Sequence, residues 1–243
     1  MTIELYYWLG LPGRGEYARL VLEAAGAPYR EMAQLSSEEG GGMDAMMGWL
    51  DGRQGPFIPF APPFLKDGEV VVSQAGLIAA YLGEKLGLAP QNEAERHFAR
   101  SVALTTADFV AEVHNVHHPI ATGLYYDDQK EEARRNAEQF RAERMPKFLG
   151  WYERLITANP AGAGFLVGGR MSYADLGLFQ TVEGLNYAFP RRMETLGKTV
   201  PRVVSLCRRI AAEPMVKRYL ESERRQPFNE DGIFRHYPEL DGA

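Results

Sequence analysis

The sequence predicts an α/β unit followed by an all-helical bundle, and two observations carry that expectation. Up to about residue 90, short strand-like runs alternate with helical ones; beyond it the 3.6-residue helical period continues almost unbroken. Between the two, "GLAPQNEAE" is rich in turn formers and reads as a linker. The expected domains are therefore residues 1–85 and 92–243.

Each element follows from local pattern. Residues 3–8, "IELYYW", read as a strand, and "LGLPGRG" as a turn. From 16 to 25, Ala18, Val21, Leu22 and Ala25 share one helical face, and Gly26 stops the helix. Residues 36–62, rich in Gly, Ser, Met and Pro, lack a period and are expected to be irregular, with a turn of helix near Trp49. "FLKDGEVVV" is a hairpin about Asp67-Gly68. "QAGLIAAYLGEKLG" is a helix with Leu77, Ile78, Tyr81 and Leu82 at core spacing.

A long helix runs from Glu93 to His118, where Pro119 ends it; another begins after Asp127-Asp128 and runs to about Ala158, kinked by Pro146. "SYAD" at 172–175 has the form of a capping box with Asp in the acidic position, opening a buried helix. Pro201 starts a helix that carries Val203, Val204, Cys207 and Ile210. In the tail, Phe228, Ile233, Phe234 and Tyr237 are apolar enough to pack on the body.

The chain has 243 residues, 45% hydrophobic and 24% charged, enough for a sizeable core. A net charge of −5 gives no electrostatic reason to expect nucleic acid or an anionic membrane. No run approaches the ~20 apolar residues of a membrane span. The N-terminus has neither a basic start nor a long apolar stretch, so no signal peptide is expected. A lone cysteine, Cys207, excludes an intrachain disulfide and suits a reducing cytoplasm; on its apparent core face it reads as a small buried hydrophobe. His114, His117 and His118 fall at i, i+3 and i+4, a spacing that suits zinc. The helix C-terminus favours histidine anyway, so lining an apolar pocket is the preferred reading and no metal is expected.

Two stretches carry the chemistry: "YYWLGLPGRGEYARL" and "PPFLKDGEVVVSQAGLIAAYL". With "FLVGGRMSYADLGLF", they stand in the order and separation of the glutathione transferase family, and the chain resembles its tyrosine-using branch over nearly its whole length. The resemblance implies a thioredoxin-like N-terminal domain and a helical C-terminal domain. It also implies glutathione as co-substrate, an apolar electrophile, a cytoplasmic homodimer, and a role in detoxification. Peroxide reduction or isomerisation through the same thiolate belongs to the same reading.

Only a thiolate attacks electrophiles well, and a thiol with a pKa of about 8.5 is a few per cent ionised at neutral pH. Lowering it by two units takes roughly 2.7 kcal/mol, within reach of one charge-assisted hydrogen bond plus local dipoles. The family's tyrosine for this task matches Tyr7, ahead of Trp8. The distance to Arg19 is one residue longer than the usual pattern, which keeps Tyr6 as the alternative. Arg14 matches an arginine near the thiol; a solvated loop charge is the plainer reading.

For glutathione itself, the resemblance places Pro63 as a cis proline whose preceding residue pairs with the tripeptide's cysteine backbone. Here that residue is Pro62, which accepts a hydrogen bond but has no N–H to donate. Ala75 replaces the serine that would meet the γ-glutamyl carboxylate, leaving Gln74, the Ala75 backbone and Ser73 at a helix N-terminus. Asp108 matches a carboxylate that reaches the γ-glutamyl amine across a dimer interface. Trp49 and Arg53 fall near the glycine carboxylate. Leu11, His118 and Tyr125 are implied liners of the electrophile pocket. The Pro62 and Ala75 departures motivate a rival reading, a non-catalytic carrier of glutathione or apolar ligands with the same fold.

Overall fold

A computed structural model describes residues 2–242; the expected outer bounds, residues 1 and 243, lie outside them. Strands β1 (Ile3–Tyr6), β2 (Tyr29–Glu31), β3 (Phe64–Asp67) and β4 (Val70–Ser73) form one sheet in the order β2-β1-β3-β4. β1 pairs parallel with β2 and antiparallel with β3, placing Tyr6 opposite Phe64; β3 and β4 form the expected hairpin. Helices α1 (Glu16–Ala24) and α3 (Ala75–Lys85) pack together, while α2 (Met43–Leu50) lies in the segment between β2 and β3.

Four local expectations are corrected here. β1 stops at Tyr6, because Tyr7 turns into the loop toward Arg14 and Trp8 is exposed. β2 was missed: "YRE" has three half-buried residues, too short for an alternating pattern. The irregular segment holds a full two-turn helix, α2, started by Gly42 at φ +90°. Leu77 is 55% exposed rather than part of the core, which Ile78 and Leu82 enter instead.

The helical half comprises α4 (Glu93–His117), α5 (Lys130–Gln139), α6 (Met145–Ala158), α7 (Tyr173–Ala188), α8 (Pro190–Leu196), α9 (Pro201–Ala212), α10 (Pro214–Leu220) and a last turn, α11 (Pro238–Asp241). Asn92 caps α4 by accepting the Glu95 N–H at 3.2 Å. Between α5 and α6 the chain takes a π turn, Phe140–Arg144, directly before Pro146, whose missing N–H such a turn accommodates. At α7 the Asp175 carboxylate accepts the Ser172 N–H and hydroxyl at 2.8 and 2.9 Å and the Leu166 N–H at 2.8 Å. Buried α7 packs on α1, α4 and α9, so it is the spine joining the sheet unit to the bundle. α9 buries Val203, Leu206, Cys207 and Ile210; Val204 is half-exposed.

The tail closes back over the bundle. Phe234 is buried against Gly184, where a Cβ would come within 2.3 Å of its ring. Tyr237 stacks on Tyr126 at 3.8 Å between ring centroids.

Candidate functional site

The two tyrosines at the end of β1 have opposite fates. Tyr6 stacks on Phe64 at 4.4 Å and meets Trp49 edge-on, and its hydroxyl donates to Glu4 Oε2 at 2.9 Å. Burial and the Glu4 carboxylate both push its pKa upward. Tyr7 lies in the loop that follows, and its Oη accepts the Arg14 N–H at 2.8 Å. Burial raises its pKa too, against the Arg14 N–H and the charges of Arg14 and Arg19. Tyr7 therefore remains a neutral phenol, and its proton has no acceptor among the described residues. Gly13 and Gly15 make room for its ring: a Cβ on Gly13 would sit 2.1 Å from the hydroxyl, and one on Gly15 2.6 Å from Cγ.

Arg19 builds that loop. It is 1% exposed, and its Nη1 donates to the Leu11 and Pro12 carbonyls at 3.2 and 3.3 Å and to Glu16 at 3.2 Å. Glu31 closes the pair from the side. The guanidinium also lies 5.7 Å from the Tyr7 ring centroid. In the sequence Arg19 stands out only as a marker of spacing, yet an arginine among Ala18, Val21 and Leu22 is the signal that it is buried and organises something.

A cavity of about 330 Å³ opens between the two halves, and its wall includes Arg14, Gln74, Ala75 and Asp108. Gln74 precedes α3 with φ +72°, an unusual backbone for a residue with a side chain, at the helix's free N–H groups. Much of the remaining wall is small and apolar (Gly76, Ala79, Ala103, Gly177), and Tyr173 joins it, its buried hydroxyl having no partner among the described residues. Pro62 and Pro63 are buried and joined by a cis peptide, and Ser73 pairs with Phe64 beside them.

The structure does not bring every predicted residue to this cavity: Tyr7, Pro62, Pro63 and Ser73 are not part of its wall. Trp49 is half-buried over Phe64, and Arg53 is exposed and paired with Asp51 at 3.1 Å. Leu11 and His118 are half-buried, whereas Tyr125 is 81% exposed.

Comparison with known proteins finds the same relatives by sequence and by fold. A profile for the glutathione S-transferase C-terminal domain matches residues 114–223. A glutathione S-transferase of Plasmodium falciparum is 23% identical over 228 residues, spanning 92% of this chain and 97% of that protein. The glutathione S-transferase P 1 of Xenopus laevis is 25% identical, covering 88% and 89%. The chain is similar to glutathione S-transferases over nearly its whole length. Among solved structures, a monomeric glutathione S-transferase from Necator americanus superposes with a TM-score of 0.66 at 22% identity, covering 94% of this chain and 100% of that one. A prostaglandin synthase D of Nilaparvata lugens gives 0.68 at 21%, covering 93% and 100%. In this fold Tyr7, Arg14 and Gln74 lie in the N-terminal sheet unit, and Asp108 and the histidines in the helical half.

The C-terminal end of α4 adds a feature of its own. His114 and His118 stack at 4.8 Å with 12° between planes, and His117 stands across both. Burial pushes the His114 pKa down to about 4 and that of His117 down to about 3, so both are neutral at pH 7. Among the described residues, no group of acidic, histidine or cysteine side chains is arranged to hold a metal. No helix of the described residues is long and apolar enough to cross a membrane.

Proposed function

We propose that the chain is a glutathione transferase that holds the tripeptide's sulfur as thiolate and adds it to an apolar electrophile. The observation that carries this reading is the free proton of Tyr7: its oxygen is already engaged by the Arg14 N–H, so the phenol can only donate onward. With an aromatic halide, the sulfur forms a bond to the ring carbon, the halide leaves with the electron pair, and Tyr7 keeps its proton throughout. The carrier reading is not favoured, since the curated relatives it matches are named as transferases.

In this reading glutathione lies along β3. Gln74, the Ala75 N–H and Ser73 receive the γ-glutamyl carboxylate, and Asp108, reaching across the dimer interface, its amine. Pro62 offers its carbonyl to the cysteine backbone ahead of Pro63, while Trp49 and Arg53 face the glycine end. Arg14 adds positive potential at the sulfur. Leu11, His118 and Tyr125 border the electrophile. The domain division at 1–85 and 92–243 would set the two substrates on opposite sides of the cleft.

A homodimer is supported by exposed apolar residues on α3, α4 and edge strand β4: Leu77 at 55%, Leu104 at 60%, Phe98 at 44% and Val70 at 45% exposed. Phe60 stands 94% exposed in the loop before β3. Detoxification in a reducing cytoplasm is the setting this chemistry suits. The test is conjugation of reduced glutathione to a nitro-substituted aromatic halide, alongside calorimetric titration of glutathione. Binding without turnover on any electrophile would restore the carrier reading, and no binding would end both.

A further inference from the structure

Two of the three histidines at the end of α4, His117 and His118, are hydrogen-bonded in a sequence that fixes where the proton of each sits. His117 Nε2 lies 2.8 Å from the Ile233 carbonyl oxygen, which can only accept, so Nε2 carries the proton. His117 is 3% exposed and neutral, which leaves its Nδ1 a bare lone pair. That lone pair lies 2.6 Å from Nδ1 of His118. Two lone pairs do not face each other at that distance, so His118 supplies the proton from its own Nδ1. Burial and the charge of Arg235 hold the His118 pKa below its ordinary value, and the ring carries no second proton at neutral pH. Its Nε2 is then an acceptor. Among the described residues nothing hydrogen-bonds to it, and the ring is half-exposed.

The surroundings hold this arrangement. His114 covers one face of the His118 ring, and Tyr237 meets His117 at 6.4 Å. The charges acting on the cluster are cationic: Arg235 on all three rings and Arg14 on His114. Arg235 is tied to the Gly232 carbonyl at 2.8 Å. The same tail that supplies Ile233 donates from Asn229 to the Gly10 carbonyl at 2.9 Å, so the tail, the end of α4 and the loop of Tyr7 and Arg14 meet.

We infer that His118 presents Nε2 as a preset hydrogen-bond acceptor to the second substrate, selecting electrophiles that carry an O–H or N–H donor near the reacting carbon. The identity of that ligand rests on the transferase reading; the direction of the hydrogen bonds does not. His118 is in this role a specificity residue, and His117, acting through it, a positioning residue.

Two measurements test it. Nitrogen-15 spectra of the imidazoles in the wild-type protein report the tautomers: His117 protonated at Nε2 and His118 at Nδ1 are expected, the latter being the reverse of what a free neutral imidazole favours. Benzylideneacetone and its 3-hydroxyphenyl derivative form a matched pair of enones, with and without a donor. Their dissociation constants and kcat/KM are compared in wild type and His118→Phe. The preference for the hydroxylated member falls about 5- to 10-fold in the variant, while the glutathione dissociation constant stays fixed. A His118 protonated at Nε2, or a preference that survives the substitution, overturns the inference. Failure of both enones to react would count against the transferase reading alone, since tautomers and dissociation constants are read without turnover.

Discussion

Replacing Tyr7 by phenylalanine removes one hydroxyl and leaves its surroundings intact, because the ring's place is set by Gly13, Gly15 and Arg19. The hydroxyl accepts one protein N–H and has one proton to give. A hydrogen bond from a neutral donor to a thiolate is worth about 1.5–3 kcal/mol, equivalent to about 1–2 units on the thiol pKa. Bound glutathione in the variant is therefore expected to titrate near the solution value of about 8.5. At pH 6.5 the ionised fraction, and kcat/KM with it, falls roughly 10- to 50-fold. Thiolate ultraviolet absorbance, followed against pH for glutathione mixed with wild type and variant, reads the shift directly. Tyr6→Phe is the control: its hydroxyl is spent on Glu4, so the thiol pKa should hold while stability drops by about 1 kcal/mol. A raised thiol pKa in Tyr6→Phe with none in Tyr7→Phe refutes the argument.

Three further outcomes follow from the same geometry. Ala75→Ser places a hydroxyl at the start of α3, where the site lacks one; glutathione should bind about 3- to 10-fold more tightly by calorimetry. Arg19→Leu leaves Glu16 and Glu31 without their shared cation and frees the Leu11 and Pro12 carbonyls; a loss of about 3–5 kcal/mol in urea unfolding is expected, with glutathione affinity falling too. The depressed pKa values of His114 and His117, about 4 and about 3, give a pH dependence of definite sign. The unfolded rings, with pKa about 6.5, bind more protons below that value, so the stability is full above pH 6.5 and is lost as pH falls toward 4. His117→Gln should flatten the slope of unfolding free energy across that interval.

Much of the architecture could be read from the residues because its signals were local. The Asp67-Gly68 hairpin, the Ser172–Asp175 cap and the α1 stripe each lie within one element, and each is where the pattern put it. What escaped depended on partners far along the chain. β2 has no pattern of its own and exists because β1 offers it an edge. Leu77 has core spacing, yet it lies on the outward side of α3. For the site, the choice between Tyr6 and Tyr7 could not be made from "YYW", since it turns on which ring faces Glu4 and which faces the Arg14 backbone. The histidine spacing was visible, but the proton order is set by Ile233, which lies 116 residues away from His117.

The Glu16 carboxylate sits at the join between the sheet unit and the last helices with no exposure to water. It takes the Tyr219 hydroxyl at 2.7 Å, Arg19 at 3.2 Å, and the guanidinium of Arg225, which also donates to Gln180 at 2.9 Å. Swinging the halves apart would take Arg225 and Tyr219 away from Glu16 and leave it with Arg19 alone, a loss of about 3–5 kcal/mol that keeps a gaping form below roughly one molecule in a hundred. Ligands of different shape must then be met by local adjustment of the tail and the segment around Gly10 and Gly13, with the frame behind them staying still.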